Sequence, residues 1–143
     1  MKTLTTHCLF AVAALVAAAG SASAQNYKAE IPMAFRAGNK VMEPGSYDLK
    51  VVSQYTGHDY ILIYNRTTAS TAMLLPISGP DAPKAWTKAG NPLISFTCAG
   101  HACTLRRFWD GRDSATYEFP AHKLPKAEVD RVAIVTVAVT KAD

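Results

Sequence analysis

After residue 24 the sequence holds no run of about 18 apolar residues, so no later stretch has the length of a membrane-spanning helix. Helical periodicity is almost missing from the same stretch, which argues against a helical bundle or alternating strand–helix units. Basic residues are scattered and never alternate with aromatics in a run, so the usual footprint of a nucleic-acid surface is lacking. There is no Gly-x-Ser-x-Gly elbow, no phosphate-cradling glycine loop and no His-Glu-x-x-His pair. Cysteine is scarce, with three in the chain and none in a Cys-x-x-Cys spacing, so neither a redox pair nor an attached haem is indicated. No internal repeat or low-complexity segment stands out. No residue set points to an enzyme, and none calls for a cofactor.

What is there begins with residues 1–24, which read as a secretory signal peptide. Lys2 is followed by an uncharged apolar stretch over residues 8–19 and by Ala22-x-Ala24, the small-residue pattern of a signal-peptidase site. The mature chain is then expected to begin at Gln25, in the periplasm or outside the cell, without a stable membrane anchor. Cys8 precedes the apolar stretch and not the cleavage site, so it is no lipidation cysteine. Losing Lys2 takes Lys plus Arg from 15 to 14 against 11 Asp plus Glu, a mature charge of about +3. Residues 25–143 fit one domain that can bury a core without many staples.

That domain reads as all-β. Strand-like runs lie at residues 27–35, 47–52, 60–64, 72–77, 93–98, 103–109, 115–119 and 131–140. Turn chemistry separates them at Gly38-Asn39, Pro44-Gly45, Gly57, residues 65–70 and Asp110-Gly111. About eight strands and short turns suggest an antiparallel sandwich or small barrel. Residues 78–91 show no period and read as a long loop, and residues 126–130 as one helical turn. Asn65-Arg66-Thr67 matches a glycosylation sequon.

The densest signal is residues 93–109, where two strand-like runs flank Cys98 and Cys103. A four-residue loop over residues 99–102 would put Cys98 opposite Cys103, Phe96 opposite Leu105 and Ile94 opposite Arg107. Ile94, Phe96, Cys98, Cys103 and Leu105 then share one face. Directly opposed partners stand about 4.5 to 5.5 Å apart at Cα, within disulfide reach, and export favours oxidation. A disulfide is therefore expected. Cys98-x2-His101-x-Cys103 could alternatively offer three soft metal ligands, one short of a closed zinc site.

The remaining candidates for chemistry sit in loops. Trp86 could cap one end of the core or stack on a ligand. His101 and His122 fall at one end of an up-and-down meander, with the 65–70 loop, and His58 with Trp86 at the other. Asp110 and Asp113 read as turn residues around Gly111. In residues 131–140, Val132, Ile134 and Ala138 lie on one face and Ala133, Val135, Val137 and Val139 on the other. Both faces are apolar, so the run suits a central strand covered on each side, in which Val135→Asp is expected to unfold the domain. Its alternative is a surface for self-association or for another protein's strand.

Two stretches resemble small exported proteins of Acidobacteria. Ile31-Pro32-Met33-Ala34-Phe35, Gly38 and Pro44-Gly45-Ser46-Tyr47 are similar to their opening, and Leu124-Pro125 with Glu128 to their closing segment. Met42 and Glu43 stand where those proteins prefer Leu and Pro, and the cysteine hairpin is not one of their usual features. The resemblance implies a secreted β-rich fold and no established activity. The expected function is that of an exported binding or assembly module. The alternative is a metal-binding protein or enzyme using the end around His101 and His122.

Overall fold

The computed structural model describes residues 25–54, 57–121 and 132–142. The expected signal peptide, His122, the turn at residues 126–130 and the closing motif lie outside the described residues. The fold is all-β. Its strands are β1 (Gln25–Ile31), β2 (Phe35–Ala37), β3 (Lys40–Met42), β4 (Gly45–Ser53), β5 (Asp59–Asn65), β6 (Thr71–Leu74), β7 (Ile77–Asp81), β8 (Leu93–Ala99), β9 (Ala102–Trp109), β10 (Ala115–Glu118) and β11 (Val132–Ala142), with a helix α1 (Lys84–Ala89).

The strands number eleven where the pattern suggested eight, and the extra ones have local causes. β1 ends before Pro32, which brings no N–H to a ladder. Phe35 therefore belongs to a separate strand, β2, which turns back into β3 through Gly38 at φ 60°. The run at residues 72–77 divides at Leu75-Pro76 into β6 and β7. The expected long loop thus contains β7 and α1. Strand β7 tolerates Pro80 because it pairs on one side only, with β10. Close approach explains Gly79, where a Cβ would lie 2.4 Å from the Thr116 carbonyl oxygen.

The sheet runs β3-β2-β9-β8-β11-β1-β4-β5-β6, with β10 joining β9 to β7, and it curls until its two ends almost meet. Side chains bridge the remaining seam. Lys40 Nζ donates to the Thr71 carbonyl oxygen at 2.9 Å, and Ser70 Oγ lies 3.8 Å from Met42 Sδ. Alternation fills the inside: Tyr27, Ala29 and Ile31 from β1, Tyr47, Leu49 and Val51 from β4, Ile61 and Ile63 from β5, and Ile94 and Phe96 from β8 are all core residues. The Phe35 ring meets Tyr47 and Phe96 edge-on at 5.3 and 5.1 Å, and Tyr27 meets Phe108 at 5.1 Å.

The β8–β9 hairpin has the expected pairings Cys98–Cys103 and Phe96–Leu105, and the two sulfurs are bonded, with Cα atoms 4.0 Å apart. Its turn is tighter than expected, because Ala99 pairs with Ala102 and only Gly100-His101 reverse the chain. Further out the expected register fails. Ile94 opposes Phe108, and Arg107 opposes Ser95, because Arg106 is an extra residue in a bulge. The bulge turns Phe108 into the core, where strict alternation would have pointed Arg107 inward. Arg106 is held outside it by Glu118 Oε1 at 3.3 Å and by the Phe119 carbonyl oxygen at 3.1 Å.

Two further expectations change. Strand β11 is not covered on both faces: Val139 is buried and Val135 and Val137 are half-buried, whereas Ile134 on the opposite face is 75% exposed. The sequon asparagine faces inward. Asn65 is fully buried, its Nδ2 donating to the Tyr47 hydroxyl at 2.9 Å and to the Glu43 carbonyl oxygen at 3.2 Å. Its Oδ1 accepts from the N–H groups of Thr67 and Thr68, so the side chain builds the β5–β6 turn.

Candidate functional site

Three surface hollows carry the chemistry that the described residues offer. The smallest, about 300 Å³, lies at the hairpin turn, where Ala34, Phe35, Arg36 and Val41 face His101. Gly100 takes φ 61° at the first central position of the turn, a conformation that glycine reaches without penalty. His101 follows it and is exposed. The disulfide occupies both thiols, so Cys98 and Cys103 cannot join His101 as thiolate ligands. Among the described residues, no three His, Cys, Asp or Glu side chains converge as a metal site. His122 lies outside them. Ser70 neighbours Met42, Met42 pairs with Phe35, and Phe35 pairs with Cys103, so the 66–70 loop and the His101 turn do lie toward the same end.

Trp86 is not part of the core cluster that the capping reading would have it close. It is half-buried on α1, a helix that buries none of its residues, and it belongs neither to the core cluster nor to the lining of the hollows described here.

The second hollow, about 650 Å³, opens between the start of β5, the β6–β7 connection and β10. Tyr117 forms its wall, stacked on Phe108 with ring centres 5.9 Å apart and donating its hydroxyl to Asp59 Oδ2 at 3.1 Å. Burial first, and then the adjacent Asp59 carboxylate, push the Tyr117 phenol far above its ordinary value of 10.0. Tyr117 is thus a hydrogen-bond donor at neutral pH, and a poor base. His58 stands at the rim with Leu75 and Ile77, which are 67% and 53% exposed. Asp110 is a turn residue, as expected: its Oδ1 accepts from the N–H groups of Arg112 and Asp113.

The third hollow is a groove of about 530 Å³ on the outer face of β1, β4, β5 and β6. Register aligns two rows across it. Ala142, Asn26, Lys50, Leu62 and Met73 form one, and Thr140, Lys28, Asp48, Tyr64 and Thr71 the other. Arg66 closes one end by donating from Nε to Asp48 Oδ2 at 2.8 Å. Asp48 is thereby neutralised. Among the described residues, neither Lys28 nor Lys50 has a carboxylate within ion-pair distance.

Sequence reasoning passed over Asp59, Tyr117, Lys28, Lys50 and Tyr64. Alternation carried half of the signal, since Lys28 lies between inward Tyr27 and Ala29, and Lys50 between inward Leu49 and Val51. The other half is strand order, which no local pattern encodes. Compared with protein-family models, curated proteins and solved structures, the chain matches none.

Proposed function

We propose that this protein is an exported β-barrel module that works by binding or assembly, and that residues 132–138 of β11 are its contact with another protein or a second copy of itself. The observation that carries this reading is the uneven pairing of β11. Residues 132–138 pair with β8, whereas β1 pairs only with residues 139–142. Among the described residues the second edge of residues 132–138 has no strand partner, and Val132 and Ile134 stand out from the sheet. Natural sheets blunt such edges with Lys, Pro or a bulge. Residues 132–140 contain no charge and no proline.

Export is supported by Lys2, the apolar stretch and Ala22-x-Ala24, and by a disulfide that suits an oxidising compartment. The resemblance to small secreted proteins of Acidobacteria is of the same sense. Intact mass of protein recovered from periplasm or medium should begin at Gln25, and full-length chain retained in membranes would contradict export. For the contact, light scattering coupled to size-exclusion chromatography should show association that Ile134→Asp abolishes while circular dichroism stays native. If the variant associates and binds partners as the unaltered protein does, β11 is not the contact.

A further inference from the structure

We propose that the groove on the outer face of β1, β4 and β5 binds an acidic polysaccharide, with Lys28 and Lys50 holding the sugar carboxylates and the Tyr64 ring lying under a sugar face. Three cations and one carboxylate line the groove, and that carboxylate, Asp48, is already paired with Arg66. The charge left over comes from two ammonium groups without an ion-pair partner among the described residues. They sit on adjacent strands in neighbouring rows, at the diagonal spacing of about 7 to 8 Å. An extended chain with a carboxylate on successive units can meet both.

The rest of the lining fits a sugar better than a compact anion. Tyr64 is 39% exposed and Leu62 half-buried beside it, giving an apolar floor against which sugar C–H groups can pack. Asn26 and Thr71 flank that floor with groups that donate and accept hydrogen bonds, as hydroxyls require. The groove crosses strands on an open sheet face, so a polymer can enter and leave along its length. This site is distinct from the β11 contact, and its test does not depend on that reading.

Calorimetric titration of the purified protein with a galacturonate oligosaccharide, beside a neutral galactose oligosaccharide of equal length, tests it. The acidic oligosaccharide should bind, more weakly as salt is raised, and the neutral one should not. Lys28→Ala with Lys50→Ala, and separately Tyr64→Ala, should each weaken binding about fivefold or more with circular dichroism unchanged. Lys84→Ala with Lys88→Ala, on exposed α1, should leave it intact. No binding of the acidic oligosaccharide, equal weakening by the α1 variant, or an unaffected Tyr64→Ala would overturn the proposal. So would tighter binding of a single-stranded oligonucleotide or of anionic phospholipid vesicles.

Discussion

Strands β5 and β11 look alike in sequence, Tyr60-Ile61-Leu62-Ile63-Tyr64 against Val132-Ala133-Ile134-Val135, yet they live in different surroundings. β5 is paired to β4 along its whole length and to β6 over residues 61–64, and Ile61 and Ile63 are completely buried. β11 changes neighbours midway, and its inward Val135 and Val137 are only half-buried. Apolarity on both faces states what a strand tolerates, and pairing decides what it receives. In β5 the outer residues are Tyr60, Leu62 and Tyr64, two of which carry a polar tip. The outer face of β11 offers Val132, Ile134 and Ala138 with Thr136 and Thr140 between and beyond them, so its polar groups are two short hydroxyls.

The sharpest way to break this comparison is to place the same charge in each strand. Ile63→Asp strands a carboxylate in a fully enclosed site and should cost about 4 kcal/mol or more, enough to leave the chain unfolded by circular dichroism. Val135→Asp should cost only about 1 to 2 kcal/mol, because half-burial leaves the carboxylate a route to water. That revises the sequence-based expectation of unfolding, and equal losses in urea titration would remove the distinction. Between these two in size is Asn65→Ala, at the turn that ties β5 to β6. It deprives the Thr67 and Thr68 N–H groups of their acceptor and leaves the Glu43 carbonyl with the Tyr47 hydroxyl alone, and should lower stability by roughly 2 to 3 kcal/mol. A loss within experimental error would show that water replaces the amide.

An effect close to that of Val135→Asp is expected at the hairpin beside β11. Cys98→Ser with Cys103→Ser should fold with stability reduced by about 2 kcal/mol, the chain-entropy value for so short a loop. The unaltered protein should show no alkylatable thiol under denaturing, non-reducing conditions. Two reactive thiols in freshly exported protein would contradict the bond.

Much of the barrel was legible because alternation is a local property. Tyr47, Leu49 and Val51, or Phe96 and Cys98, declare their face within one strand, and paired cysteines declare the hairpin register near its turn. Beyond the turn, Arg106 is the extra residue of a bulge that counting residues cannot foresee. The groove was illegible for a different reason. Lys28, Lys50 and Tyr64 are scattered over 37 positions of sequence and become neighbours only through the order β1-β4-β5. Residues 78–91 hid a strand because β7 carries Gly79 and Pro80, which read as turn signals, whereas here they serve close approach and a one-sided edge.

The inward Asn65 sets folding and modification in competition. An oligosaccharide on Nδ2 would replace a hydrogen now donated to the Tyr47 hydroxyl or the Glu43 carbonyl, and its bulk has no room inside the barrel. Made in a host that decorates nascent secreted chains, the protein would therefore sort into two pools. Every correctly folded copy would be unglycosylated, and every copy glycosylated at Asn65 would be trapped short of this core.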